Sequence, residues 1–204
     1  MNKTHKDYFT FNVHNSALIV GQTGSGKTEL VRQYIRRLEK AYTPEHMKYV
    51  IYDLKQFEFS THDVTGKVTD YGAKEEYLYS VVRFGTEGDM DYLEELAELA
   101  EKRSAEDDPT PMIFIYIEEC DMAVQYPGRF QNAVIKINCN AQKANMKLMF
   151  STSRPSRDII TPEFRDSFDL ILSGVLATSY DEETLGVPGA SVLNRFEFIV
   201  KENG

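Results

Sequence analysis

Cysteine is scarce in this chain of 204 residues, which holds only Cys120 and Cys139. No C-x-x-C spacing links them, so no clustered-thiol metal motif is present. Two such cysteines suit a reduced compartment at least as well as a disulfide. His5, His14, His46 and His62 show no ligand spacing either. Long apolar runs are missing as well; none approaches the roughly 20 residues that a membrane-spanning helix needs. The opening MNKTHKDYFT carries positive charge with no apolar stretch behind it, so a secretory signal is not expected. A cytoplasmic address follows. Finally, there is no basic excess: 23 Lys and Arg stand against 32 Asp and Glu, a net charge of -9. A nucleic-acid binder usually carries a basic footprint, so that reading requires a local basic surface.

What is present is an ordinary globular composition, 42% hydrophobic and 27% charged. The length fits a single domain spanning residues 1–204. Short apolar runs alternate with longer amphipathic segments, the pattern of an α/β fold whose mostly parallel central sheet is flanked by helices on both faces. Strands are expected at YFTFNV, ALIV, YVIYD, MIFIYI, KLMFSTS, FDLILSG and FEFIV, with a loop-rich stretch running from Asp53 to Lys67. Helices are expected from Thr28 to Ala41, at AKEEYLYSVVRF, at DMDYLEELAELAEKRS and from Phe130 to Ala144. In the third of these Leu93, Leu96, Ala97 and Ala100 recur at helical spacing. Phe57, Phe59, Tyr77 and Tyr79 are expected in the core.

The most specific signal lies between ALIV and the first helix. Gly21, Gly24, Gly26, Lys27 and Thr28 satisfy G-x-x-x-x-G-K-[ST], with a strand before and a helix after, as that motif demands. Glycines let several backbone N–H groups converge, and the helix N-terminus adds its positive dipole end. Phosphate is the expected guest of Gly21, Gln22, Thr23, Gly24, Ser25, Gly26, Lys27, Thr28 and Glu29. Lys27 is expected to reach the β- and γ-phosphates, and the Thr28 hydroxyl to ligate Mg²⁺.

Such a site needs carboxylates at the end of a neighbouring strand, and MIFIYIEECD supplies Glu118 and Glu119. Adjacent side chains at a strand end point in different directions, which suits two tasks. Glu118 stands where the metal-side carboxylate belongs and Glu119 where the catalytic base belongs. Aspartate is the commoner residue at the first position.

With these motifs in place the chain resembles the FtsK, SpoIIIE and HerA superfamily of ring-forming translocase ATPases. YDLKQFEF resembles the D-x-K-x-x-E-[LF] signature through Asp53, Lys55 and Glu58. LMFSTSRPSRDII is similar to the stretch in which a strand ends in T-Q-R-P-S, and TLGVPGASVLNRFEFIV to the closing glycine-rich turn and terminal strand. The resemblance implies a RecA-like P-loop NTPase domain, a Mg-dependent ATPase assembling as a homo-oligomeric ring, usually hexameric, that drives double-stranded DNA through its pore. The alternative within the same superfamily is the ATPase module of a protein-secretion system.

Two departures bear on the expected chemistry. Ser153 stands where relatives commonly place a glutamine that senses the γ-phosphate; its hydroxyl can donate the same bond but reaches less far. INCNAQKANMK offers Gln142 and Lys143 where many relatives carry a trans-acting arginine, and lysine lacks the planar fork. Arg129, Arg154 and Arg165 are the other candidates. Arg154, at the strand end, is favoured.

Overall fold

A computed structural model describes residues 13–53, 58–59, 73–119 and 121–203. The expected first strand, YFTFNV, lies outside these residues apart from Val13, as do Lys55, Phe57, Cys120 and most of the stretch from Asp53 to Lys67. The described residues form a six-stranded sheet in the order β2-β3-β4-β1-β5-β6. Its strands are β1 (Ser16–Val20), β2 (Met47–Asp53), β3 (Met112–Glu118), β4 (Met146–Thr152), β5 (Leu170–Ser173) and β6 (Ile199–Glu202). Strands β1 to β5 pair in parallel; β6 alone runs antiparallel, along β5.

The alternation of side chains along each strand divides the core in two. Ala17, Ile19, Tyr49, Ile51, Phe114 and Tyr116 face one side, where Val31, Tyr34, Ile35 and Leu38 of helix α1 (Lys27–Ala41) cover them. Leu18, Val20, Val50, Tyr52, Ile113, Ile115 and Ile117 face the other, beneath α2 (Glu87–Arg103), α3 (Asp121–Gln125), α4 (Pro127–Asn140) and α5 (Pro162–Asp166). Chain direction explains this division. Leaving β1, the chain passes to the far edge at β2, whereas the later crossovers step back across the sheet. Right-handed crossovers made in opposite directions place their helices on opposite faces. β3 is buried along its whole length, which is why MIFIYI is continuously apolar rather than alternating.

Three elements differ from the sequence reading. AKEEYLYSVVRF forms no long helix: a single 3-10 turn at Glu75–Tyr77 is followed by extended backbone bridging to β2 at Tyr49–Leu78 and Tyr52–Arg83. The open edge of β2 offers acceptors there, and the N–H groups of Tyr79 and Arg83 donate to Tyr49 and Ile51. Tyr77 stacks on Tyr49 with centroids 5.9 Å apart, whereas Tyr79 is half-exposed rather than core. The helix expected from Phe130 begins earlier, with Pro127 in its first turn. The last strand begins later than FEFIV, because Phe196 is taken up by a loop against the glycine-rich segment.

Candidate nucleotide site

The carboxyl ends of the parallel strands gather at one rim, the place where open α/β sheets bind ligands. β1 delivers the glycine-rich loop to its centre. Gly24 and Gly26 have φ of 81° and 107°, a region that L side chains rarely enter. Gly26 is also the N-cap of α1, with no side chain capping the helix. The first-turn amides of α1 therefore have no intrahelical acceptor and no side-chain substitute, which suits them to an anion. Of the expected loop residues, Ser25 is buried and its N–H donates to Gln22 O at 3.0 Å, closing the turn. The Gln22 N–H donates to Val175 O at 2.8 Å, fastening the loop to the segment after β5. Lys27, nearly buried, donates its Nζ to Gly21 O at 2.7 Å and Gln22 O at 3.2 Å, folding back on its own loop. Glu29 lies one residue beyond Thr28 and accepts from Gln33 on the outer surface of α1.

The two glutamates take separate positions, as their adjacency implied. Glu118, the last residue of β3, is 1% exposed, and its Oε1 accepts from Thr28 Oγ1 at 2.9 Å. The two oxygen groups expected to share a divalent cation are thus in contact across 90 residues of sequence. Carboxylate and hydroxyl oxygens are donors that Mg²⁺ accepts, so the pair fits that ion. Glu119 leaves the strand with φ of 63°, an uncommon conformation for glutamate. Its N–H donates to Ser151 O at 2.7 Å, and its Oε2 accepts from Ser153 Oγ at 2.9 Å and Ser153 N–H at 3.2 Å. The expected base and the expected phosphate sensor therefore touch each other. Beneath them Tyr116 shares a 2.9 Å hydrogen bond with Ser151. Burial, reinforced by the charge of Glu118, raises the Tyr116 phenol well above its ordinary value and keeps it neutral.

The arginine candidates separate cleanly. Arg129, in the first turn of α4, is held by α2, with Nε on Glu94 Oε1 at 2.9 Å and Nη2 on Asp91 and Glu94 at 2.5 Å each. Arg165 is engaged by Asp166 and by Thr184 O, bracing α6 (Ser179–Leu185). Arg154 is exposed at the rim and forms no ion pair among the described residues, while its N–H donates to Thr152 Oγ1 at 3.1 Å. Lys143 is exposed beyond α4, just before β4 begins, at the opposite end of that strand from Ser153.

Two contributors, Arg32 and Phe196, were not read from the sequence, whereas Asp53 and Glu58 belong to the signature named above. Arg32 lies one turn beyond Thr28 on α1 and pairs with Glu58 at 2.7 Å. Asp53, fully buried at the end of β2, accepts the Phe59 N–H through Oδ2 at 2.7 Å. The i, i+4 spacing from Thr28 could have pointed to Arg32. Phe196 is the other. Its N–H donates to Ser25 O at 2.9 Å, and a Cβ at Gly26 would lie 2.5 Å from its Cδ1, so only glycine fits beneath it.

Comparison with known proteins agrees with this geometry. "DNA translocase FtsK" of Streptomyces avermitilis is 26% identical over 198 residues, covering 86% of this chain and 22% of that protein. The chain thus spans under a quarter of the length of this relative. The conjugation coupling protein TcpA of pCW3, in its monomer form with ATPγS, superposes with a TM-score of 0.69 at 17% identity, covering 94% of this chain and 58% of that one. The cytoplasmic domain of the type VII secretion ATPase EccC of Thermomonospora curvata gives 0.68 at 17% identity, covering 92% and 24%. The profile of the FtsK/SpoIIIE family matches residues 3–105, half of the chain, and includes the glycine-rich loop, Thr28 and Asp53. With that match and the P-loop ATPase fold of its neighbours, the chain belongs to the FtsK/SpoIIIE family.

Proposed function

We propose that this domain hydrolyses ATP and uses the reaction to move double-stranded DNA as one subunit of a homo-oligomeric ring. The observation that carries the reading is the convergence of Lys27, Thr28, Glu118, Glu119 and Ser153 at one rim, with Thr28 already on Glu118 and Ser153 on Glu119. The DNA cargo draws on the FtsK relative and the coupling-protein neighbour. Arg154, Arg157 and Arg195 are exposed near the same rim and give the acidic chain local cations.

In this reading the amides of the glycine-rich loop and the first turn of α1 hold the phosphates, and Lys27 leaves its loop carbonyls to neutralise the terminal pair. Thr28 and Glu118 would hold Mg²⁺, which supplies charge neutralisation on the phosphate oxygens. Ser153 turns its hydroxyl toward the γ-phosphate, releasing the Glu119 carboxylate to orient and deprotonate the attacking water. Arg154 reaches toward the neighbouring subunit's nucleotide. A second reading, polypeptide as cargo, draws on the likeness to EccC and the net charge of -9.

ATP turnover by the assembled protein, measured with and without duplex DNA over a series of salt concentrations, separates the two. A DNA motor shows stimulation that fades steeply as salt rises, because phosphate contacts release counterions. Absence of stimulation at low salt overturns the DNA reading in favour of polypeptide. Glu119→Gln is expected to bind ATP normally and to lose turnover by two orders of magnitude or more, the scale of a general base. Parental turnover in that variant would remove Glu119 from the role.

A further inference from the structure

We propose that Phe196 is the platform on which the nucleobase stacks, so that the site reads a base by its flat face and accepts adenine and guanine alike. The inference rests on the glycine-rich loop being a nucleoside-triphosphate cradle. Strand order fixes which way such a ligand must run. Glu118 and Ser153 end β3 and β4, which lie together on one side of β1. They mark the terminal-phosphate end. The remainder of the nucleotide leaves the cradle on the opposite side of β1, toward β5 and β6.

On that side the loop preceding β6 crosses the cradle. Phe196 is 38% exposed and has φ of 68°, a left-handed conformation that is a genuine outlier for an aromatic residue. The backbone on either side holds it there. The Phe196 N–H donates to Ser25 O at 2.9 Å, and the Glu197 N–H donates to Asn194 O at 3.1 Å. This conformation holds a partly exposed aromatic ring against the cradle glycine, where its open surface is placed to take a flat ligand. Base–aromatic stacking is open to every base, because every base has a π-face.

Polar groups flank the ring on its own loop. Asn194 donates its backbone N–H and its Nδ2 to Glu197 Oε2, at 2.8 and 3.1 Å, which ties these two residues together. The Arg195 guanidinium lies 4.7 Å from the Phe196 centroid and steadies the ring. Stacking on the ring asks for no particular donor or acceptor on the base.

The test compares the binding of ATP, GTP and inorganic tripolyphosphate to the parent, Phe196→Gly and Phe196→Tyr. Glycine tolerates the positive φ and keeps the N–H bond to Ser25, so the loop stays in place. Phe196→Gly is expected to weaken ATP and GTP about ten- to a hundredfold while leaving tripolyphosphate unchanged; Phe196→Tyr is expected to retain all three. Parental ATP and GTP should agree within a few-fold. An equal loss of tripolyphosphate in Phe196→Gly would make the ring a buttress of the loop and overturn the platform, as would unchanged ATP affinity. A tenfold or greater preference between ATP and GTP in the parent would overturn face reading. A parent that binds tripolyphosphate as tightly as ATP lacks the platform but keeps the cradle, whereas a parent that binds neither loses the cradle itself.

Discussion

Lys27 rests on two carbonyls of its own loop, an arrangement that occupies its charge without committing it. Lys27→Ala removes the one cation of the cradle, and a drop in ATP affinity of at least a hundredfold is expected by equilibrium binding, with little change in melting temperature. Asp89 supports a different prediction. Burial pushes its carboxyl up, but hydrogen bonds from Thr86, Phe84 and Arg83 outweigh that and hold it below the usual value. A folded value lower than the unfolded one, about 3.9, contributes stability that is complete above that pH. The contribution fades as pH falls through the lower folded value. Urea midpoints measured from pH 6 down to pH 3 should therefore decline less steeply in Asp89→Asn than in the parent. At this scale the sequence was most legible where a motif fixes spacing: Lys27, Thr28 and the two glutamates occupy the relations their order implied. Phe196 was not legible, because a positive φ in an aromatic residue is imposed by the surrounding backbone and leaves no pattern in the chain.

Elements were legible where periodicity and burial agree. α1 and α2 carry their buried residues at helical spacing, and β3 is a continuous apolar run. Residues 73–84 defeated the reading because the open edge of β2 offered hydrogen bonds to a tyrosine- and valine-rich segment, and tertiary pairing outweighed local propensity. The join between α2 and β3 is braced chiefly by Arg103, with Asn145 Nδ2 also donating to Pro109 O at 3.3 Å. Arg103 at the end of α2 is buried and donates to Ala144 O at 3.0 Å, to Pro111 O at 2.5 Å and to Pro109 O. Arg103→Met keeps the apolar stem but takes this donor from the carbonyls of Ala144 and Pro111, at a cost of about 2 kcal/mol or more. For a chain of this size the melting temperature should fall by roughly 4–8 °C, with nucleotide affinity retained.

For the whole molecule, the sheet order gathers the ends of the parallel strands at one rim, with Arg154 exposed beside it. Arg154→Ala subunits mixed with Lys27→Ala subunits test whether that side chain works across an interface. If it does, sites that pair a sound cradle with a sound neighbouring arginine appear in the mixture, and its turnover exceeds the sum of the two separate preparations. Turnover equal to that sum would confine Arg154 to its own subunit. No helix among the described residues is long and apolar enough to cross a membrane. The acidic balance read from composition did not locate the cations, because their grouping depends on which strand ends the topology brings together.

The pairing of Arg32 with Glu58 reaches further than its 2.7 Å. Arg32 belongs to the helix that begins at the phosphate seat, and Glu58 to the chain leaving the strand next to β3. Glu58 is followed by Phe59, whose N–H is anchored on Asp53. A shift of the first helix at its phosphate seat would be felt at Glu58 through this pair.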